Sequence, residues 1–466
     1  MPSDTSIPQP RGRSLGSAGA GLLALALAGG CATSGPAPPS PASPPERAVE
    51  TFETAWQIIH DTHFDPEFNG VDWAGAREEL RPRAAEATSL PALRQVIREM
   101  LDRLGQSHFE LLPREAVEAL AAEGSGDSAE AGAGSIGIDL RRLDGQMVVT
   151  RVLPQSPAAA AGVRPGWVVR RLNDRGVEEL ARLLPEGIDE RLEGLYHRQM
   201  VMARLDGDPG TTVSVEFLDG RDRPAPMALT RQSQPGETVK LGNLPPLRSH
   251  LEHERLSPEG TTVTVGMIRF NIWMLPLARP FDEAIDALRG SDGIVIDLRG
   301  NPGGVGGMAM GIAGHFLDEQ VALGTMITRD NELNFMANPR RVNPAGQPVA
   351  PFNGPVAILV DGLTGSTSEI FAGGLQALKR ARVFGQTTMG AALPALMDRL
   401  PNGDILLHAF ADYVTATDVQ LEGRGVIPDE PVPATRADLL AGRDGPLRRA
   451  IDWIAAQPRA QGAPDA

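Results

Sequence analysis

Cysteine is all but missing from this chain of 466 residues; it occurs once, at Cys31. No disulfide can form within the chain, so its stability has to come from a packed core. Lysine is nearly as scarce, present only as Lys240 and Lys379, which restricts any chemistry that needs an amine base. A basic surplus is absent too. The net charge is −15 and the pI near 5.1, which argues against a nucleic-acid partner. The marked apolar run from Leu15 to Gly30 is too short and too glycine-rich to read as a membrane span. His60 and His63 stand near Asp61 and Asp65, but no third and fourth ligand follows at a recognisable spacing, so no metal site is read there. What the chain does have is length for two or three domains and 41% apolar residues to fill their cores.

The N-terminus carries Arg11 and Arg13 ahead of that apolar run, which ends Leu27-Ala28-Gly29-Gly30-Cys31. Small residues before a lone cysteine resemble a bacterial lipoprotein signal, with Ala28 standing where a larger aliphatic residue is usual. The resemblance implies that residues 1–30 are removed and that Cys31 is lipidated. The chain would then sit in the bacterial cell envelope, anchored in the membrane on the periplasmic side of the outer membrane. The alternative is an ordinary secretory signal and a soluble periplasmic or secreted protein. Residues 31–46, rich in proline and serine, read as an extended tether.

From Arg47 the spacing of Val49, Phe52, Ala55, Trp56 and Ile59 is helical, and two more amphipathic helices follow. Residues 47–115 are read as a helical N-terminal domain. An acidic, glycine- and alanine-rich connector leads to a second unit, 133–235, of short strands. It holds a hairpin signal at Asp144-Gly145, the strand Met147–Val152, an alanine-rich helix ending at Gly162, and the strand Val213–Phe217. The third unit, 255–458, alternates strands near 263–270, 293–297 and 356–360 with helices, the pattern of a partly parallel sheet. The fold class is therefore multidomain α+β and α/β: helical, then β-rich, then an α/β core.

In the third unit the apolar strand Val356–Val360 runs into Asp361-Gly362-Leu363-Thr364-Gly365-Ser366. A helix then starts, with Ile370, Phe371, Leu375 and Leu378 on one face. The serine hydroxyl stands at a helix N-terminus, where free N–H groups and the dipole favour a nucleophile and an oxyanion. The same residues also read as a plain capping box, Ser366-x-x-Glu369. A second strand, Gly293–Leu298, ends in the turn Arg299-Gly300-Asn301-Pro302-Gly303-Gly304, whose glycines allow close backbone approach.

The second unit resembles a PDZ domain through Ser156-Pro157-Ala158 and Ala161-Gly162-Val163-Arg164-Pro165-Gly166. By that resemblance Ile136, Gly137 and Ile138 form the loop that holds a peptide's terminal carboxylate; the plainer alternative is a scaffold. The third unit resembles the core of the carboxyl-terminal processing (tail-specific) proteases, of ClpP/crotonase-like fold. Its matching phrases are Ile296-Asp297-Leu298-Arg299-Gly300-Asn301-Pro302-Gly303-Gly304 and Ser366-Thr367-Ser368-Glu369-Ile370-Phe371-Ala372-Gly373. It departs from them at one point. Their serine–lysine dyad takes its lysine from T-x-G-K-G, and here the phrase is Thr388-Met389-Gly390-Ala391-Ala392. Lys379 is too far along the helix from Ser366, roughly 20 Å, and Lys240 lies in a linker.

A second branch of that superfamily, typified by the tricorn core protease, uses serine, histidine and glutamate. Its Ser-His phrase is matched by Ser107-His108, and its E-x-x-G-V-x-P-D phrase by Glu422-Gly423-Arg424-Gly425-Val426-Ile427-Pro428-Asp429. The resemblance implies Ser366 as nucleophile, His108 as general base and acid, Glu422 as the orienting carboxylate and Ser107 as a relay. The oxyanion hole would use the N–H of Thr367 and one from Gly303 or Gly304. His315 and His408 are competing bases outside any matching phrase. The expectation is an exported, lipid-anchored serine endopeptidase that acts on polypeptides without a metal or cofactor, with PDZ capture of a C-terminal tail. Two alternatives stand beside it: a non-catalytic lipoprotein that binds peptides or apolar ligands, and a PDZ scaffold on a degenerate protease core. Convergence of Ser366, His108 and Glu422 would favour the first reading, a deep apolar cavity the binding lipoprotein.

Overall fold

The structure, a computed structural model, describes residues 44–115, 134–182, 190–240 and 247–458. The expected signal, Cys31 and most of the tether lie outside the described residues. No helix among the described residues is long and apolar enough to cross a membrane.

Three helices come first: α1 (Pro44–Thr62), α2 (Trp73–Ala85) and α3 (Leu90–Asp102). Asp72 and Ser89 cap the latter two by accepting from Gly75 N–H and Ala92 N–H. Phe52, Ile59, Trp73, Leu80, Ile97 and Met100 fill the space between them. The same apolar cluster also takes in Leu393, Leu400, Leu406 and Ala409 from the distant end of the chain. Strand β1 (Glu110–Leu112) pairs antiparallel with residues 405–407, and the Arg94 guanidinium grips buried Asp404 at 2.6 and 2.8 Å. The helical region is thereby a side wall of the third unit.

The second unit contains β2 (Gly134–Ser135), β3 (Ile138–Leu143), β4 (Gln146–Val152), β5 (Val168–Leu172), α4 (Glu190–Leu205), β6 (Thr212–Leu218), β7 (Pro224–Thr230) and β8 (Gln232–Ser233). Asp144 and Gly145 turn the first hairpin with φ of 49° and 76°, the conformation that tight two-residue hairpin turns require. The sheet runs β3-β4-β5-β6-β7 with antiparallel pairing, which leaves β3 at an edge beside α4. Strand β2 pairs with β8.

The third unit is built on the sheet of β9 (Leu251–Leu256), β10 (Val265–Phe270), β11 (Gly293–Asp297), β14 (Val356–Val360), β15 (Arg382–Gly385) and β19 (Glu430–Pro431), in that order. All pairs except β9–β10 are parallel. Ile294, Ile296 and Ile358 point into one cluster with α5 (Ala278–Leu288), α6 (Gly307–Ala313) and α7 (Thr367–Ala377). Val295, Ala357 and Leu359 point into another with Ile451 and Ile454 of α9 (Gly445–Ala455). Coverage on both faces explains why β11 and β14 read as unbroken apolar runs rather than alternating ones. Between β11 and β14, β12 (Val321–Ile327) and β13 (Glu332–Ala337) form a second small sheet with β18 (Asp412–Thr415). Strands β16 (Ala395–Arg399) and β17 (Ile405–Ala409) join β1 in a third. The short helix α8 (Arg436–Leu440) touches the second unit, Arg436 donating to Gly166 O at 2.9 Å.

Candidate active site

The turns after β11 and β14 are stitched together. The Asp361 carboxylate accepts from Leu363 N–H (3.0 Å) in its own turn and from Gly300 N–H (2.9 Å) in the other. Arg141 of β3 reaches the same carboxylate at 2.6 Å. Thr364 Oγ1 donates to Leu298 O, and Gly365 N–H to Asn301 O. This frame delivers Ser366 with φ 51° and ψ −121°, a backbone state that costs a side-chain-bearing residue of order 1–3 kcal/mol. Helix α7 starts at the next residue.

Opposite Ser366 only glycine fits. A Cβ on Gly303 (φ 108°) would fall 2.7 Å from Ser366 Cβ, and one on Gly304 (φ 147°) 2.2 Å from Trp273 O. The two glycines differ as donors. Gly303 N–H is taken by Asn301 Oδ1 at 3.0 Å. The N–H groups of Gly304 and Thr367 have no acceptor among the described residues. Asp297 and Arg299 hold this turn from beneath: Asp297 is fully buried and bonded by Arg269 and Arg299, and Arg299 continues to Asp444. Despite its burial, the two guanidinium groups keep the Asp297 carboxyl far below its ordinary range.

His108 follows α3 with a left-handed φ of 63° and is 2% exposed. Its Nδ1 lies 2.6 Å from Ser107 Oγ, and Ser107 Oγ lies 2.9 Å from Glu422 Oε2. Ser107 N–H donates to Glu422 Oε1 at 2.7 Å. A serine hydroxyl has a single proton. Given to the carboxylate, it leaves the oxygen to accept His108 Nδ1–H, and that tautomer bares a lone pair on Nε2. Nε2 is shielded from solvent and has no partner among the described residues. Burial lowers the imidazole pKa to about 4. Burial also raises the Glu422 carboxyl, against hydrogen bonds from Ser107 and Ala392.

One peptide group joins the two halves. Ala391 C=O accepts from Ser366 N–H (2.8 Å), and the adjoining Ala392 N–H donates to Glu422 Oε2 (3.0 Å). Ala391, at the expected lysine position, packs among Leu195 and Tyr196 of α4, Leu363 and Met389. Lys240 and Lys379 are exposed. His315 is bonded to Asp282 at 2.7 Å, and His408 lies between Asp398 and Thr62.

Glu369 is a member of the site that its reading as a cap did not reveal. Its carboxylate accepts from Ser366 N–H (3.0 Å), Gly390 N–H (2.7 Å), Ala391 N–H (3.0 Å) and the Thr388 hydroxyl. Burial pushes this carboxyl up to about 7 against those four bonds. No signal in the sequence pairs Glu369 with a segment some twenty positions on.

In the second unit Ile136 O accepts from Ala158 N–H, Gly137 N–H donates to Ser135 Oγ, and Ile138 pairs with Val152 of β4. A cleft of about 580 Å³ between this unit and the core is lined by six arginines and six aspartates, and neither Ser366 nor His108 borders it. With that lining it is not the deep apolar cavity that the binding-lipoprotein alternative requires. No group of three or more His, Cys, Asp or Glu side chains able to hold a metal occurs among the described residues.

Residues 264–432 match Peptidase family S41, and residues 44–102 match the Tricorn protease C1 domain. Over residues 264–432 the core is thus similar to Peptidase family S41. The chain is a serine-type peptidase. The chain is 28% identical over 408 residues to a carboxyl-terminal-processing protease of Synechocystis, covering 86% of this chain and 85% of that protein. It is 28% identical over 394 residues to the chloroplastic carboxyl-terminal-processing peptidase 2 of Arabidopsis thaliana, covering 82% and 68%. Among solved structures it shares the fold of the photosystem II D1 C-terminal processing protease, with a TM-score of 0.55, 22% identity and coverage of 88% and 97%. The S41 match takes in Ser366, both glycines and Glu422; His108 lies outside it, just beyond the C1 match.

Proposed function

We propose that the protein is an exported endopeptidase that opens peptide bonds through an acyl-enzyme on Ser366. His108 serves as base and then acid, Glu422 orients it, and Ser107 links the two. In this reading His108 Nε2 takes the hydroxyl proton as Ser366 attacks the carbonyl carbon. The imidazolium so formed is stabilised by Glu422 through Ser107. It returns the proton to the departing amine, and a water molecule then repeats the sequence to release the acid. Thr367 N–H and Gly304 N–H would receive the developing oxyanion, each such donor being worth about 10²- to 10³-fold in rate. The observation that carries the reading is the Ser107 bridge, which spends both Nδ1 and the serine proton and leaves His108 Nε2 without a partner among the described residues.

In the same reading Cys31 carries the lipid that holds the chain in the cell envelope. The second unit is a PDZ-like module that offers the free edge of β3 to polypeptide, since an edge strand can take an added strand. The test is cleavage of unstructured polypeptides followed by mass spectrometry. Activity lost in both Ser366→Ala and His108→Ala supports the assignment. Activity kept in His108→Ala would show that another group is the base.

A further inference from the structure

His63 follows α1 directly and is wholly buried. Its ring is engaged at both nitrogens. Nδ1 lies 3.1 Å from Asp65 N and 2.9 Å from Asp65 O. Nε2 lies 3.1 Å from Gln106 Oε1. A neutral imidazole has one donor and one acceptor nitrogen, and an amide side chain offers both. The bond to Gln106 therefore forms in either tautomer. Burial and the charge of Arg329 hold the imidazole below its ordinary pKa, against the bonds to Asp65 and Gln106, so the ring is neutral at about pH 7. Phe64, Phe68 and Phe109 surround it, with ring centroids 4.8, 5.3 and 5.3 Å away. The Phe109 ring lies within 15° of parallel.

Gln106 and Phe109 stand on either side of Ser107 and His108. Their segment, between α3 and β1, turns through left-handed backbone at Gly105 and His108, both with φ 63°. Such a segment takes its shape from what it packs against. At its start Asn69 Nδ2 donates to Leu104 O at 2.7 Å, and His63 holds the rest. His63 is in turn fastened to the third unit. Arg329, just past β12, donates from Nε to His63 O (3.0 Å) and from Nη2 to His60 O (2.9 Å), carbonyls that the end of a helix leaves open. Ser107-His108 is thus referred twice to the unit that carries Ser366: through Glu422, and through Arg329 and His63.

We infer that His63 is a positioning residue for the catalytic histidine: it grips Gln106 by a hydrogen bond and Phe109 by stacking, and so fixes the backbone on both sides of Ser107-His108. It touches neither substrate nor the reacting atoms and acts through His108. This rests on the reading of His108 as the base.

The test uses the full chain with two single changes that break the bond from either side. His63→Phe keeps a stacking ring and loses the polar atoms. Gln106→Leu keeps His63 and removes its partner, and it carries the test alone if His63→Phe does not fold. Each is compared with the unsubstituted chain at a temperature where circular dichroism shows both folded. Two rates are read: steady-state cleavage of a quenched fluorescent polypeptide, and labelling of Ser366 by a fluorophosphonate, which needs an activated serine but no bound polypeptide. Misplacement by about 1 Å costs about 10²-fold. Both kcat and the labelling rate should therefore fall by about 10- to 100-fold, with KM kept within about twofold. Gln106→Glu retains an acceptor for His63 as its Nε2–H tautomer and should bring the rates back to within about threefold of the unsubstituted chain. The double variant His63→Phe, Gln106→Leu should lose no more than about threefold beyond the slower single one, because both act through one contact. A folded His63→Phe or Gln106→Leu enzyme with both rates within about twofold of the unsubstituted chain, beside an inactive His108→Ala enzyme, overturns the inference and leaves the triad standing. A loss confined to KM overturns it in the same way. An active His108→Ala enzyme removes the base assignment and the inference together.

Discussion

Ser107→Ala is the sharpest perturbation of the proposed triad, because it removes one oxygen and touches nothing that contacts substrate. That oxygen lies 2.6 Å from His108 Nδ1 and 2.9 Å from Glu422 Oε2. Its loss leaves Nδ1–H without a partner, and a hydrogen bond to a charged group is worth about 1.5–3 kcal/mol. That alone is roughly a 10- to 150-fold loss of rate at 1.36 kcal/mol per decade. The tautomer is freed at the same time, and a triad histidine left in the wrong tautomer loses about 10⁴ in kcat. Between these bounds, Ser107→Ala should lower kcat by about 10²- to 10⁴-fold and leave KM within about twofold, since the interaction matters only once the imidazolium forms. Glu422→Gln should fall in the same range: its Oε1 can still accept from Ser107, but it carries no charge to stabilise the cation. The assay is steady-state cleavage of a quenched fluorescent polypeptide, with Ser366→Ala as the zero. A Ser107→Ala enzyme that keeps a third or more of its kcat, beside an inactive His108→Ala enzyme, would refute the relay.

Gly303→Ala should abolish activity and lower stability by about 2–4 kcal/mol, because its Cβ would meet Ser366 Cβ and its φ is left-handed; activity near wild type would sink the placement of the glycine turn against the nucleophile. Ala391→Lys should not rescue His108→Ala, since Leu195, Tyr196, Leu363 and Met389 fill the space an amine would need; recovered cleavage would mean that a serine–lysine dyad fits after all. His108→Gln should change how stability depends on pH. Burial takes the His108 pKa from 6.5 to about 4, so the unfolded chain binds a proton that the folded chain refuses. Stability that is whole above pH 6.5 is lost as the pH falls through about 4, by up to about 3 kcal/mol. Urea unfolding should therefore find His108→Gln gaining on the wild type by about that amount between neutral pH and pH near 4; a constant difference contradicts the burial.

Much of the site is legible in short phrases because its contacts are local in their cause. The strand-turn-helix at Val356–Ala377 and the glycine turn at 299–304 follow from an apolar run, turn residues and a capping pair, and these specify geometry within a few residues. Ser107-His108 and the phrase from Glu422 are legible only as a resemblance. Nothing in their spacing says that they meet, 315 positions apart. The strands 321–327 and 332–337 escape the reading because Gly324 interrupts the first, whose second sheet partner lies 80 or more positions away at 412–415, and because the first three residues of the second are exposed. The role of Glu369 is invisible for a similar reason: a carboxylate's function is set by which donors surround it, and here those donors are backbone N–H groups and a threonine hydroxyl that any sequence can supply.

In the proposed mechanism, the alanine at position 391, where a dyad lysine is expected, and the sharing of one core between the N-terminal helices and the third unit have a common physical cause. A base on the loop at residue 391 is held in place by the same short segment that binds Ser366 N–H. A base at His108 comes from the other end of the chain, and catalysis tolerates little misplacement, about 10²-fold being lost for 1 Å. The helical region must therefore be held as firmly as a loop of the core. β1 pairing with β17, the buried Arg94–Asp404 contact and an apolar cluster built from both ends of the chain do this. Around residue 391, Leu195 and Tyr196 of α4 pack against Leu363 and Met389, so the second unit also contributes to the packing beside the strand-turn-helix that carries Ser366.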